Sequence, residues 1–191
     1  ETLPALAWQF DEPFADSSAL PTWHVAQMTR REVTVALTGD AGDELFGGYD
    51  RYRALAFTEL FQRLPAGPRK VLAGAASRLL PRSGKAKSRL RALERIAERI
   101  DQPAAVRYLG WMATFDEDER LLLYDDDQLD RLASTASALA DPESADPAVL
   151  QARALAAANG RDVVTRAMVA DVLTYLPGDL LYKVDMASMA H

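Results

Sequence analysis

Apolar residues recur at three- and four-residue intervals along most of the chain, which is the spacing of helices that bury one face. Proline, glycine and short polar stretches separate these segments. An Asp-Ser-Ser sequence at residues 16–18 is a candidate cap for the second segment, and Pro177-Gly178 is expected to end the last one. The predicted helices are Thr2–Phe10, Ala19–Arg30, Asp50–Arg63, Lys70–Leu80, Ser88–Ile100, Ala104–Ala113 and Asp162–Leu176.

A different pattern occupies Val33–Thr38, VTVALT, where apolar residues alternate with smaller or polar ones. This period of two predicts a short buried β-strand that ends at Gly39. A helix, a strand, a loop and another helix in this order are typical of an open α/β sheet, but the sequence shows no second convincing strand. We therefore predict a mainly α fold with a minimal α/β element. Its α/β part covers residues 1–49 and its mostly helical part covers residues 50–191.

The composition narrows the classes of partner and the compartment. The 191 residues carry a net charge of −6 at pH 7, which argues against general nucleic-acid binding. The absence of cysteine excludes disulfides and thiolate metal sites, and it fits a reducing compartment. No apolar run is long enough to span a bilayer, so we expect a cytoplasmic protein without a membrane partner.

The strongest candidate chemistry follows the predicted strand. Asp40, Asp43 and Glu44 lie within five residues of one another, with the small residues Ala41 and Gly42 between them. Small residues let backbone N–H groups approach a phosphate or carboxylate, and carboxylates can hold Mg²⁺ beside it. Taken alone, such a loop is also compatible with a polar turn whose carboxylates are solvated.

Two other charged stretches have weaker claims to function. Residues 63–99 contain eleven basic side chains against two acidic ones, a pattern that is more typical of solvated helix faces than of a phosphate site. The aspartate run at 125–127 lacks the ligand spacing and the glycine of a calcium loop, so helix capping and solvated surface are the better interpretation. Residues 133–148 are a candidate mobile linker, and Trp111 is expected to pack in the core rather than stack on a purine.

The last fifteen residues, PGDLLYKVDMASMAH, carry a second candidate constellation. A helix end at the Pro-Gly pair would expose Asp179, Lys183 and Asp185, and Lys183 is the only lysine after Lys87. A lysine on the solvated surface is the alternative interpretation. The two histidines of the chain lie far apart in sequence, so we expect surface or packing roles for them.

The acidic loop and two further segments resemble a known family. TGDAGDELFGGY, at residues 38–49, is similar to the (S/T)-G-(D/E)-x-x-D-E-L-F-G-G-Y motif of glutamine-dependent asparagine synthetases. FDEPFADSSALPTW at Phe10–Trp23 and YLPGDLLYKVDMASMAH at Tyr175–His191 resemble the family's segments before and after that motif. The resemblance implies the carboxy-terminal, ATP-consuming synthetase domain, whose fold is of the ATP-pyrophosphatase type (adenine nucleotide α-hydrolase-like).

The resemblance implies a ligase that adenylates aspartate, with ATP and Mg²⁺, and transfers glutamine-derived ammonia to give asparagine. Thr38 and Gly39 would then lie against the nucleotide. Asp40 would position or deprotonate the ammonia, and Asp43 would face Mg²⁺ and pyrophosphate. Glu44 also belongs to the motif, but we expect it to be a structural cap.

By the same resemblance, Lys183 would supply the catalytic cation that stabilises the transferring phosphates. In some members of the family a basic residue stands three positions further on, where this chain has Met186. The two positions are therefore alternatives for this role. Their spacing places them on one face if the segment is helical, and we expect Met186→Lys to be tolerated.

The chain departs from the family pattern in what it lacks. The family's pyrophosphate loop, S-G-G-x-D-S, occurs nowhere in the sequence, and no cysteine is present to serve the family's glutaminase. We therefore expect an interior fragment that is inactive alone and works with a glutaminase domain of the same parent chain, with a homodimer as a candidate assembly. Two alternatives stay open: a related ligase such as a β-lactam synthetase or peptide cyclase, and a non-catalytic helical interaction module.

Overall fold

A computed structural model describes residues 2–63, 65, 102–115, 119, 121–138, 141 and 146–191. Helices dominate these residues. In chain order they are α1 Thr2–Phe10, α2 Ala19–Glu32, α3 Gly42–Phe46, α4 Asp50–Gln62, α5 Ala104–Met112, α6 Asp126–Ser137, α7 Pro147–Ala156, α8 Val163–Leu173, a π-helical segment Leu176–Leu181, and α9 Tyr182–Met189. None of the helices in the described ranges is both long enough and apolar enough to cross a membrane.

The helices predicted from periodicity are confirmed where the structure describes them. Helices α1, α2, α4 and α5 begin at the predicted residues, and each ends within two residues of its predicted end. Helix α8 ends three residues earlier than predicted. The predicted helices Lys70–Leu80 and Ser88–Ile100, with nearly all of the basic stretch 63–99, lie outside the described residues.

The prediction of a buried strand at Val33–Thr38 is wrong for this structure. The backbone turns extended at Val33, but none of the described residues pairs with the segment as a second strand. The side chains of Val33, Val35 and Leu37 are 46%, 78% and 99% exposed. A strand is stabilised by a neighbour that takes its backbone hydrogen bonds and covers its apolar face, and the described part of the chain supplies neither.

Pro177-Gly178 does not end the helical path as predicted. The pair lies inside the π-helical segment Leu176–Leu181, which continues directly into α9. Pro177 is in the first positions of this segment, where it removes no needed donor, and the N–H of Gly178 donates to the Thr174 carbonyl at 3.0 Å. The widened turn therefore accommodates two residues that would disrupt an ordinary α-helix.

The candidate linker 133–148 is partly helical. Its first residues belong to α6, which extends to Ser137. Its last residues start α7, with Asp146 as N-cap accepting a hydrogen bond from the N–H of Ala148. Residues 139–140 and 142–145 lie outside the described part of the chain. The interpretation of residues 125–127 as a cap is confirmed, because Asp125 and Gln128 form a capping box at the start of α6.

The contacts between residues divide the chain into two units. Unit 1 comprises Glu1–Gly48 and Asp171–His191, and unit 2 comprises Tyr49–Ala170. The core of unit 1 consists of Leu6, Phe10, Ala19 and Trp23, with Phe14, Tyr182, Met186 and Ala190 packed against it. Two hydrogen bonds join α1 to α9: Tyr182 donates to the Phe10 carbonyl at 2.9 Å and Gln9 donates to the Met186 carbonyl at 3.2 Å. The last helix of the chain is therefore fixed against the first.

The core of unit 2 lies among α4, α5, α7 and α8. Its buried members are Tyr52, Leu55, Tyr108, Ala154, Leu155, Ala167 and Ala170. The rings of Tyr52 and Tyr108 are stacked with centroids 6.5 Å apart. Trp111 is partly buried against this cluster, which confirms its predicted packing role.

Candidate functional site

The acidic loop is presented on the surface of unit 1. Thr38, Gly39 and Asp40 are exposed, and Thr38 Oγ1 donates a hydrogen bond of 2.5 Å to Asp40 Oδ2. The chain then reverses, because the N–H of Gly42 donates to the Gly39 carbonyl at 3.1 Å. Ala41 adopts a left-handed conformation with φ 70, which typically costs a residue with a Cβ about 1–2 kcal/mol. The loop thus holds a hydroxyl and a carboxylate together at the point of reversal.

The second half of the loop is the short helix α3. Asp43 is exposed in its first turn, and a Cβ added at Gly48 would lie only 1.9 Å from Asp43 Oδ1. The absence of a side chain at Gly48 is therefore what gives the Asp43 carboxylate room in its present position. Glu44 is 1% exposed, so its side chain belongs to the interior, in agreement with the structural role expected for it.

Lys183 is buried in unit 1, on the first turn of α9. It is 6% exposed, so the alternative of a surface lysine is wrong, as is the prediction that the Pro-Gly pair would expose it. Its Nζ donates to Asp16 Oδ2 at 2.5 Å and to Ser18 Oγ at 2.7 Å. Asp179 Oδ1 lies 4.0 Å from the same Nζ. A buried ammonium is tolerated only with such partners, because its desolvation is otherwise unfavourable.

The two carboxyl groups near Lys183 differ in electrostatics. Burial alone would raise the pKa of Asp16, but hydrogen bonds from Lys183 and from the hydroxyl and N–H of Ser18 lower it to about 2. Burial raises the pKa of Asp179, the negative charge of Asp16 raises it further, and Lys183 opposes both. Asp16 is therefore the carboxylate that is stabilised by the lysine, whereas Asp179 is held in a less favourable position.

Asp16 is the functional residue that sequence reasoning missed. The Asp-Ser-Ser segment was expected to cap α2, and Ser18 does occupy the N-cap position, but its side chain makes no capping hydrogen bond. Instead, Ser18 donates its N–H to Asp16 Oδ1 at 2.8 Å and its hydroxyl to Asp16 Oδ2 at 2.6 Å. An acid embedded in the apolar stretch FADSSAL is the signal that could have indicated a buried partner.

Met186 packs within the apolar cluster of unit 1, on the same helix as Lys183. The structure therefore opposes the expectation that Met186→Lys would be tolerated, since a lysine there would enter an apolar environment. The histidine predictions are confirmed. His24 is exposed, and the ring of His191 packs edge-on against Trp23 with centroids 4.8 Å apart.

The loop and the lysine form two separate clusters of contacts within unit 1. The described hydrogen bonds and ion pairs of Lys183 reach Asp16, Ser18 and Asp179, and none reaches residues 38–43. In the part of the chain that the structure describes, no group of three or more His, Cys, Asp or Glu side chains could hold a metal ion by itself. The site offers one exposed acidic loop and one buried ammonium.

Comparison of the whole chain with known families gives the class of protein. A sequence model described as asparagine synthase matches residues 1–191. The chain therefore belongs to the asparagine synthase family, and the resemblance inferred from three motifs is confirmed.

The relatives have the same character. The chain is 31% identical over 191 residues to a Bacillus subtilis protein, asparagine synthetase [glutamine-hydrolyzing] 1, covering 99% of this chain and 26% of the relative. It is 32% identical over 189 residues to a provisionally named glutamine-hydrolysing asparagine synthetase of Mycobacterium tuberculosis, again covering 99% and 26%. A 49-residue stretch is 53% identical to a provisionally named asparagine synthetase of Methanocaldococcus jannaschii, covering 26% of this chain and 10% of the relative.

The chain is much shorter than these proteins. It spans about a quarter of the length of the curated relatives that match it throughout. No solved structure matches it.

Proposed function

We propose that this chain is part of an ATP-dependent amide-forming ligase that makes asparagine. The full-length protein would activate the side-chain carboxylate of aspartate as β-aspartyl-AMP with release of pyrophosphate. Ammonia from glutamine, supplied by a glutaminase domain of the same parent chain, would then displace AMP. The observation that carries this proposal is the family match over all 191 residues, with the TGDAGDELFGGY string intact inside it.

The exposed segment Val33–Thr38 supports a place in an ATP-pyrophosphatase-type domain. Its apolar side chains alternate and are largely uncovered in the described structure. We propose that the segment pairs with strands contributed by the rest of the full-length protein. The loop after it would then lie at the carboxyl end of a sheet strand, where α/β domains bind ligands.

The loop residues would divide the work of binding and chemistry. Thr38 and Gly39 would lie against the nucleotide, where the exposed backbone of Gly39 allows a close approach. Asp40 would orient the ammonia and accept its proton as the C–N bond forms. The hydrogen bond from Thr38 to Asp40 restricts the carboxylate before any ligand arrives, which favours a fixed position for the base.

The residues of the loop fit a magnesium ion only in a limited way. Asp43 presents one exposed carboxylate, and the described residues contain no cluster that could supply three protein ligands. Mg²⁺ bound to nucleotides usually takes one or two carboxylates and completes its shell with phosphate oxygens and water, so Asp43 fits this pattern. When bound, the ion would neutralise charge on the pyrophosphate.

Lys183 would stabilise the negative charge that develops on the phosphates during adenylation. Its ammonium is held in a buried environment, where a charge acts more strongly than in water. This role requires that the ammonium reach a phosphate oxygen while keeping its partners in the protein.

ATP–pyrophosphate exchange in the full-length protein tests the proposal. We expect aspartate-dependent exchange, and asparagine when glutamine is added. Asp40→Asn should lower asparagine synthesis roughly 10²–10³-fold, the usual effect of removing a group that acts in the transition state, while glutamine hydrolysis continues. Asp125→Asn is the matched control, because Asp125 is exposed and Asn also caps helices well.

Other outcomes would point elsewhere. Exchange that depends on a different acyl substrate would indicate a β-lactam synthetase-like or cyclase-like ligase, and failure to bind ATP would indicate an interaction module. We expect the 191 residues alone to show no exchange, because the sequence contains no S-G-G-x-D-S loop to hold pyrophosphate. Activity of this chain above a mock preparation would contradict that expectation.

A further inference from the structure

The ammonium of Lys183 has three N–H donors, and the described contacts occupy two of them. One is donated to Asp16 and one to Ser18, at 2.5 Å and 2.7 Å. The remaining carboxylate oxygen nearby, Asp179 Oδ1, is 4.0 Å away, which is beyond hydrogen-bonding distance. One N–H therefore stays available for a ligand.

The two acceptors are themselves fixed. Ser18 donates both its N–H and its hydroxyl to the Asp16 carboxylate, at 2.8 Å and 2.6 Å, so three groups close a triangle with Lys183. Because Ser18 occupies the N-cap position of α2, the triangle is tied to a helix that packs in the core of unit 1. The hydroxyl of Ser18 is used in both directions, as donor to Asp16 and acceptor from Lys183.

We propose that Asp16, assisted by Ser18, is a positioning residue of the ligase: it keeps the buried Lys183 ammonium charged and oriented so that its free N–H meets a phosphate oxygen. This rests on the proposed function, since it requires that Lys183 act on the nucleotide. Asp16 itself touches no reacting atom and works through the lysine.

The physical reason is that a lysine has four rotatable bonds and a charge that is unfavourable to bury. Without a carboxylate partner, a buried ammonium either loses its proton or rotates toward water. Either change removes a cation from the reaction, and a displacement of about 1 Å at a catalytic group can cost about 10²-fold in rate. The Asp16 carboxylate prevents both.

The test compares variants of the full-length protein in aspartate-dependent ATP–pyrophosphate exchange. Asp16→Asn keeps the size of the side chain and removes its charge, and we expect kcat to fall about 10²-fold with little change in the KM for ATP. Ser18→Ala removes one hydrogen bond to the ammonium and should cost about tenfold. Ser17→Ala is the matched control, because Ser17 is the adjacent serine and is exposed, and it should behave as wild type.

A double variant separates positioning from a merely structural role. In a Lys183→Ala background, Asp16→Asn should cause no further loss of exchange, because Asp16 has no lysine left to position. It should also raise the melting temperature above that of Lys183→Ala, since it removes a carboxylate that has lost its counter-ion. A further loss of both exchange and melting temperature would overturn the proposal.

The outcomes also distinguish this inference from the proposed function. Normal exchange in Lys183→Ala would remove Lys183 from the reaction and overturn both. Loss of exchange in Lys183→Ala, with normal exchange in Asp16→Asn, would leave the ligase role intact and overturn the positioning role alone. If Asp16→Asn does not fold, the serine pair decides: equal exchange rates in Ser18→Ala and Ser17→Ala would overturn the proposal.

Discussion

The two units of the chain each bury a cation, and they do so differently. In unit 1, Lys183 is 6% exposed and donates to a carboxylate and a hydroxyl that lie on a loop near the start of the chain. In unit 2, Arg107 is fully buried on α5, next to Tyr108 of the aromatic core. Burial lowers the pKa of Arg107, and the charge of Glu59 opposes this shift.

The difference suggests different purposes for the two charges. The lysine belongs to a segment that resembles the family's active site, and its partners are short side chains held in one geometry. The arginine lies in a helix-packing core, where tyrosines also hold Arg51, whose guanidinium stacks 3.5 Å from the ring centre of Tyr49 and donates to the Tyr108 hydroxyl. We interpret the first as a charge held for chemistry and the second as a charge held for packing.

The largest expected effect comes from replacing each cation by methionine in the full-length protein. Lys183→Met should lower ATP–pyrophosphate exchange roughly 10²–10³-fold, because the phosphates lose their cation. Arg107→Met should reduce the melting temperature and leave the exchange rate of the folded protein near wild type. If both variants lose exchange equally while both remain folded, the division into chemistry and packing is wrong.

Met186→Lys tests whether unit 1 can hold a second cation. The new ammonium would enter the apolar cluster of α1, α2 and α9 without a carboxylate partner, so we expect a destabilisation of about 1–3 kcal/mol. Met189→Lys is the control, since Met189 lies on the same helix and is 74% exposed. Equal melting temperatures for the two variants would mean that position 186 accepts a charge.

Acid should weaken unit 1 through Asp16. A carboxyl group whose pKa falls from 3.8 to about 2 on folding contributes stability above pH 4, and that stability is lost as the pH falls toward 2. Allowing for solvent screening, the contribution is on the order of 1–2 kcal/mol. Urea unfolding of wild type and Asp16→Asn should therefore differ at pH 5 and converge near pH 2. A difference that does not change with pH would contradict this linkage.

The smallest effect, of opposite sign, is expected at Asp179. Because its pKa is raised in the fold, its ionised form opposes folding near neutral pH, and this penalty disappears as the pH falls through the raised pKa. Asp179→Asn should therefore stabilise the protein at pH 7, by less than about 1 kcal/mol. A lower urea midpoint for the variant would show that attraction to Lys183 outweighs burial.

The sequence predicted the helices well because their signals are local. The start of α5 after Pro103 and the run of α1 up to Phe10 can be recognised from a few neighbouring residues. The π-helical segment was missed because proline and glycine indicate a break, and a sequence pattern does not distinguish a break from a widened turn. The alternation at Val33–Thr38 predicted a conformation but could not supply the neighbouring strand on which burial depends.

The site was predictable in its residues but not in its environment. The loop residues Thr38 to Asp43 and the lysine were identified from the motifs they belong to. The burial of Lys183 depends on Asp16, which lies 167 positions away in the chain. No local pattern contains such a distance, and the acid had been assigned to the end of a helix.

The uncovered row formed by Val33, Val35 and Leu37 has a consequence for the behaviour of the chain in solution. An extended, apolar segment without a strand beside it can pair with the same segment of another molecule, which is a common start of aggregation. The charged residues that flank it, Arg30 and Arg31 on one side and Asp40 on the other, are in the positions of gatekeepers that oppose such stacking. Neutralising these charges should therefore turn a dispersed preparation into one that scatters light, long before any helix is lost.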